Sequence, residues 1–329
     1  MNRRTPAVII LMGLQILTCA CARERESTKP SLLTLRIPDT PFMALLPLYV
    51  ADEEGLFRTN GIEVEWLSVP DPGQARNLVV AGKAEVTLST FANLLAVYAR
   101  DPNTIQLVLP FFESGGSPAS YLLVRPASGI TSIRSLKGKN IGTYSGPSQK
   151  VYAEIVLDQL GYSVPKDVRL IQVSEDTQVQ AFLGGAFDIF FAVEPFATLA
   201  ITKGAVPLEA GVRTRYIADP FWVGAIAVSK RFTNAHPEAV TRIENSMRQA
   251  IDYMVSHPEE ARNVLSKRAR VAPAVASRTG LYTWVVEPSP SDCSQIQQHA
   301  DLLFARNLLQ NRIAISDALP RCRIAAGKK

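Results

Sequence analysis

The chain has 329 residues, 47% of them hydrophobic and 20% charged, with a mean hydropathy close to zero. That composition excludes disordered and collagen-like classes and is long enough for two medium cores. The net charge of +5 comes from 35 basic and 30 acidic residues, with Arg3 and Arg4 at the extreme N-terminus. The remaining charges are evenly mixed and make no case for nucleic acid.

The N-terminus, MNRRTPAVIILMGLQILTCAC, has a basic start followed by an apolar run from Ala7 to Leu17. A bilayer span needs about 20 apolar residues, so this run is too short. It has the form of a secretory leader over residues 1–20. LTCAC also resembles a bacterial lipoprotein box. Ala20 suits lipidation of Cys21, although Thr18 stands where Leu is usual, and plain secretion is the alternative. Residues 21–31, polar and ending near a proline, read as a solvated tether.

Strand and helix periods then alternate. LLTLRI (32–37) predicts a strand and LPLYVADEEGLF (46–57) a helix. IEVEWLSV (62–69) is a strand and GQARNLVVAG (73–82) a helix stopped by Gly82. AEVTLST (84–90) and FANLLAVYAR (91–100) complete a first βαβαβα unit. SYLLV (120–124) predicts one more strand. The order then repeats: KNIGTY (139–144), SQKVYAEIVLDQLG (148–161), VRLIQV (168–173), TQVQAFLGG (177–185), FDIFFAV (187–193) and FATLAITKG (196–204). Gly82, Glu85 and Val86 correspond to Gly185, Asp188 and Ile189, which points to an internal duplication. Near-continuous apolar strands linked by crossover helices imply parallel-rich sheets covered on both faces. DPFWVGAIAVSKRF (219–232) predicts a return strand. Helices follow at 237–256, 258–270 and 295–309, the first two with a proline at the first position, and they are expected to pack on the first lobe.

The expected fold class is α/β, with two lobes and a two-strand hinge. Residues 32–124 and 223–329 form the first lobe and 125–222 the second. In open α/β sheets, ligands bind beyond the carboxyl ends of strands, so the loops at 38–43, 89–91, 114–120, 143–148 and 193–196 are candidates, with 219–222 near the crossover. In TYSGPSQK, Ser145, Gly146 and Ser148 open a helix whose free N–H groups attract anionic or polar heads; an ordinary cap by Ser148 is the alternative. Glu194 before Pro195 reads either as a helix-start carboxylate or as a ligand acceptor. Phe42, Phe91, Phe221 and Trp222 read either as cleft walls or as core.

Cys293 and Cys322 are paired in an oxidising compartment or remain two thiols. The three histidines, His236, His257 and His299, make no metal-ligand spacing. GTYSG is out of register with a nucleophile elbow. There is no phosphate-binding loop and no dinucleotide fingerprint. No catalytic set, cofactor or metal is implied.

LPLYVADEEGLFRTNGIEVEW, LVVAGKAEVTLST, SLKGKNIGTYSGPS and VQAFLGGAFDIFFAVEP resemble, in order, four blocks of the NMT1/THI5-like family. This family holds substrate-binding proteins of ABC importers of the sulfonate, nitrate and taurine type. NAHPEAVTRI and SHPEEARNVL are similar to its later helices, so the likeness covers about residues 32 to 270. The resemblance implies a periplasmic-binding-protein fold of type II, monomeric, exported and lipid-anchored or periplasmic. Such a protein takes a small solute between its lobes and delivers it to an ABC permease in the inner membrane. The solute classes are sulfonate, nitrate, taurine or a pyrimidine precursor. The pocket then lines up with Pro41, Phe42, Ser89, Thr90, Ser145, Gly146, Ser148 and Glu194, with Phe221 and Trp222 at the crossover. The cysteine-rich block of the thiamine-pyrimidine synthases is absent, which argues against the enzyme branch. The alternatives outside transport are an exported solute-sensing module that signals to a receptor and, ranked below it, an enzyme of thiamine-pyrimidine type acting on a precursor in the cleft.

Overall fold

A computed structural model describes residues 32–40, 42–69 and 72–326. Cys21, the leader, the tether and Pro41 lie outside the described residues.

Among the described residues eleven strands form three hydrogen-bonded sheets, of two, four and five strands; the two- and four-stranded sheets belong to the first half and the five-stranded sheet is the second. In the first half, β1 (Leu33–Asp39) pairs in parallel with β2 (Ile62–Ser68). Beside them, β3 (Val86–Thr90), β10 (Phe221–Ser229), β4 (Ile105–Glu113) and β11 (Thr283–Trp284) pair antiparallel in that spatial order. In the second half the order is β7 (Arg169–Val173), β6 (Asn140–Tyr144), β8 (Ile189–Val193), β5 (Ser120–Val124) and β9 (Val206–Ala210). There β6 runs parallel to β7 and β8, whereas β5 runs antiparallel to β8 and β9. Each half has a strand antiparallel to both of its neighbours and next to the third strand of its βαβαβ unit. β5 and β10 are these strands, and each begins where the chain crosses from the other half. Ser120–Val124, expected in the first lobe, makes its hydrogen bonds with β8 and β9, so the crossover falls before Ser120. Each half accordingly mixes parallel and antiparallel pairs rather than being purely parallel.

The duplication has a physical basis. In the first half, Glu85 N–H donates to Arg36 O at 3.0 Å, and Arg36 N–H donates to Glu85 Oε2 at 2.7 Å. In the second, Asp188 N–H donates to Asn140 O at 2.9 Å, and Asn140 N–H donates to Asp188 Oδ2 at 2.9 Å. A carboxylate just before the third strand therefore takes the amide at the same place on the first strand, which would otherwise lack a partner. Gly82 and Gly185, three residues earlier, end the preceding helices at φ +68° and +87°, a conformation that costs glycine least. The shared glycine–x–x–acid order is the signature of this clamp.

Strand β8 explains its uninterrupted apolar run. Ile189 and Phe191 enter one core of the second half, while Phe190 and Ala192 enter the core on the opposite face. Both faces are covered, so alternation with polar residues is lost. The first half has a single core that also takes in Ile243, Met247, Leu265, Ile296 and Leu303 of the C-terminal helices. Arg268, closing the helix Pro258–Arg268, has its guanidinium 4.4 Å from the Tyr49 ring centre and 4.5 Å from that of Trp66. Cys293 and Cys322 are disulfide-bonded with Cα atoms 5.4 Å apart. The bond joins the helices Pro290–Ala305 and Pro320–Ala326 on the first half. Strand β4 went unread in the sequence because Pro110 interrupts its apolar pattern. Its carbonyl accepts from Val285 N at 2.9 Å.

Candidate functional site: the cleft between the halves

Strand tips of the two halves come into contact. Thr90, at the tip of β3, caps the helix Phe91–Arg100 through Asn93 N–H at 3.4 Å. Its hydroxyl lies 3.3 Å from that of Ser148 on the opposite half. Ser148 belongs to the helix Pro147–Gln159, which follows β6. One turn further on, Tyr152 leaves its own half and is buried in the first core. There its hydroxyl pairs with His299 Nε2 at 2.9 Å, and its ring meets Phe221 edge-on at 5.0 Å. Burial, with Arg213 nearby, lowers the His299 pKa to about 4, so the imidazole is neutral. At the crossovers, Gly115 N–H donates to Asp219 Oδ1 at 3.2 Å.

At the centre of this region stands Arg213, in the one-turn helix Val212–Tyr216 that follows β9. It is only 2% exposed. Gly211, at φ +66°, turns the chain into that helix, and Arg213 N–H donates to Ser120 Oγ at 3.1 Å. Ser120 Oγ in turn donates to Glu113 Oε1 at 2.6 Å. The guanidinium donates through Nη2 to Gln149 Oε1 at 2.8 Å and lies over the rings of Phe221 and Tyr152. Gln149 is held by its bond to Thr143 Oγ1 at 2.9 Å. Among the described residues no carboxylate forms an ion pair with Arg213, and its Nε–H has no acceptor. Burial works against the charge. The phenols of Tyr144 and Tyr282 and the carboxyl of Glu113 outweigh that, and the pKa lies above its usual value.

A buried cation with a vacant donor is costly unless something completes it, by several kcal/mol in order of magnitude. The helix Pro147–Gln159 adds to the same demand. Its cap position is Gly146, which has no side chain to accept from the first-turn N–H groups. Gln149 places the guanidinium against that first turn. Arg213 is tied to the first turn of that helix through Gln149, and the Thr90 and Ser148 hydroxyls meet beside the same turn; donors of these types suit an anion.

Of the residues singled out in the sequence, Ser89, Thr90, Gly146, Ser148 and Phe221 lie at the strand tips and helix starts that meet here. Ser89 Oγ accepts from Asn93 Nδ2 at 3.1 Å, and Phe221 faces Tyr152, His299 and Arg213. Phe42 is partly buried against the first core and caps the short 3-10 turn Met43–Leu45. Ser145 is exposed, with its hydroxyl on Val173 O at 3.2 Å. Ser148 is not the cap considered above, because Gly146 occupies that place. Trp222 points away from Phe221, as neighbouring strand residues must. It packs on Phe112 with Nε1 3.4 Å from Gln295 Oε1. Glu194 is fully buried, and its oxygens accept from Thr198 N–H at 3.0 Å, Thr198 Oγ1 at 2.7 Å and Gly280 N–H at 3.4 Å. It therefore caps its own helix and ties it to the C-terminal segment. Arg213, Gln149, Tyr152 and His299 were missed. Their only sequence signal was a cation in the short stretch between two strand patterns and a histidine inside a helix.

Two α/β halves joined by paired crossovers, with strand tips around one cleft, define the bilobal periplasmic-binding-protein fold. The structure is similar to the alkanesulfonate-binding protein SsuA from Xanthomonas axonopodis pv. citri bound to MOPS. The TM-score is 0.69 at 22% identity, over 87% of this chain and 97% of that one. The chain belongs to the NMT1/THI5-like family, whose profile matches residues 43–261. It is 27% identical over 321 residues to a putative aliphatic sulfonates-binding protein of Bacillus subtilis (strain 168), covering 95% of this chain and 93% of that one. It is also 25% identical over 232 residues to the 4-amino-5-hydroxymethyl-2-methylpyrimidine phosphate synthase of Candida albicans (strain WO-1), covering 66% of this chain and 65% of that one. Relatives of this chain thus include both binding proteins and an enzyme.

Proposed function

We propose that the protein is an exported solute-binding component of an ABC importer that captures a sulfonate-class anion in the cleft and presents it to a permease. The observation that carries this reading is the buried Arg213 guanidinium, with its unpartnered Nε–H beside an open helix start. The sulfonates-binding relative, alike over nearly its whole length, supports the ligand class. Binding without turnover suits a seat made of donors and aromatic walls. The same reading takes residues 1–20 as an export leader, Cys21 as a lipid-bearing cysteine, residues 21–31 as a tether and the mature protein as a monomer.

Thermal-shift screening over alkanesulfonates, nitrate and amino-pyrimidines tests it. Alkanesulfonates are expected to raise the melting temperature, and Arg213→Met to abolish that rise. The variant leaves Gln149 Oε1 without its donor, so its melting temperature without ligand is expected to fall modestly, and a circular-dichroism spectrum verifies that it is folded. A sulfonate response that survives Arg213→Met, or no response to any anion, would overturn the reading.

A further inference from the structure

The chain after residue 261, where the family profile ends, is rooted in the first half. β11 pairs with β4, Trp284 Nε1 donates to Ala44 O at 3.2 Å, and Ile296 and Leu303 of the helix Pro290–Ala305 enter the first core. Yet this segment also takes hold of the second half at three points. Gly280 N–H donates to Glu194 Oε1 at 3.4 Å. Gly280 lies so close to the crossover there that a Cβ would stand 2.3 Å from Pro118 O. His299 Nε2 pairs with the Tyr152 hydroxyl at 2.9 Å. Arg306, at the end of the same helix, forms an ion pair with Asp158 Oδ2 at 3.8 Å.

The last two contacts are spaced alike. His299 to Arg306 and Tyr152 to Asp158 each cover about two helical turns. The helices Pro290–Ala305 and Pro147–Gln159 therefore run alongside each other in the same direction, bridged at both ends of the shared stretch. The two bridges differ in weight. Arg306 and Asp158 are exposed, and such a pair contributes little. Tyr152 contributes most, because its ring is buried edge-on to Phe221 and its hydroxyl meets a buried imidazole. Parting the halves withdraws that ring into water and breaks the bond. The arrangement with the halves together is thus favoured even with no solute to bridge them.

From these three contacts we infer that the C-terminal segment is a clasp, which holds the helix Pro147–Gln159 against the first half and keeps the halves together before any solute arrives. A solute then enters through a minor open population, and its apparent affinity is lowered by that fraction. The clasp works in the same way whatever the ligand.

Double electron–electron resonance on the intact, ligand-free protein tests this. Spin labels are carried on p-acetylphenylalanine at position 80 in the first half and position 206 in the second, in place of Val80 and Val206. Both valines are exposed, and the native cysteines stay untouched. The parent is expected to give one narrow distance peak. His299→Leu, which leaves the Tyr152 hydroxyl without its partner, should broaden that peak or split off a second distance. Adding Tyr152→Phe should restore much of the narrow peak, because removing both partners costs less than removing one. Arg306→Glu, at the exposed pair, should broaden it in smaller measure, and a circular-dichroism melt verifies the folding of each variant. A parent peak that is already broad, a distribution unchanged in every folded variant, or broadening that Tyr152→Phe does not reduce would each overturn the clasp.

Discussion

Single side chains decide what the cleft can hold. Arg213 matters because its surroundings keep it charged while leaving one donor vacant, and Gln149, Phe221 and Tyr152 hold the guanidinium in place. His299 supplies a pH test. Its folded pKa is about 4 against 6.5 for an unperturbed imidazole. The unfolded chain therefore takes up the proton first as the pH drops. Stability from this group is complete above 6.5 and falls between 6.5 and 4, by about 3 kcal/mol at most. Glu175 acts in the opposite sense. Burial, with Asp176 adding to it, raises its pKa from 4.5 to about 7, so its contribution is complete at low pH and lost as the pH rises from 4.5 to 7. Urea melts of the parent and of His299→Gln isolate the histidine: the difference between the two curves should shrink as the pH is lowered from 6.5 to 4. A constant difference would show that His299 titrates normally. At this scale the sequence was only partly legible. It marked Phe221 and Ser148, yet it could not say that Trp222 faces the other side of β10, or that Glu194 spends its oxygens on Thr198 and Gly280. Both facts depend on which neighbour a side chain meets in three dimensions.

At the scale of elements, repetition made the fold readable. The strands and helices of the two βαβαβα units emerge from apolar period and glycine stops, and β8 betrays a strand covered on both faces. The acid clamp gives the repeat an energetic meaning. Removing the Asp188 carboxylate leaves Asn140 N–H without its acceptor, and removing Glu85 also breaks its fork with the Arg36 guanidinium. Asp188→Ala and Glu85→Ala should each cost on the order of 1–3 kcal/mol in chemical denaturation. Changes within a few tenths of a kcal/mol in both would remove the clamp as the reason for the repeat. What stayed hidden were elements whose pattern is broken or too short. Pro110 interrupts β4, Pro207 lies in β9, and Val212–Tyr216 is a single turn. That last turn carries the arginine on which the site depends, so the site was less legible than the fold.

For the whole molecule, the two crossovers let the halves share one cleft, and the C-terminal segment reaches back to it. Gly280 meets Glu194, and His299 meets Tyr152, both across the division between the sheets. The helix that bears His299 is stapled by the Cys293–Cys322 disulfide, which closes a loop with a sequence separation of 29. Reduction should lower stability by about 3–4 kcal/mol on chain-entropy grounds and weaken sulfonate binding as well, because the helix bearing His299 loses its staple. A matched calorimetric titration with and without reductant checks this, and unchanged affinity would place the C-terminal segment outside the working cleft.

The central claim is that an anion sits on Arg213 between the two halves. A crystal structure with 2-bromoethanesulfonate, located by the anomalous signal of bromine, tests it most directly. One ligand per chain is expected, its sulfonate oxygens within hydrogen-bond distance of Arg213 Nε and the first turn of the helix Pro147–Gln159. Bromine found only on the outer surface, or a sulfonate in the cleft that leaves Arg213 Nε untouched, would contradict it.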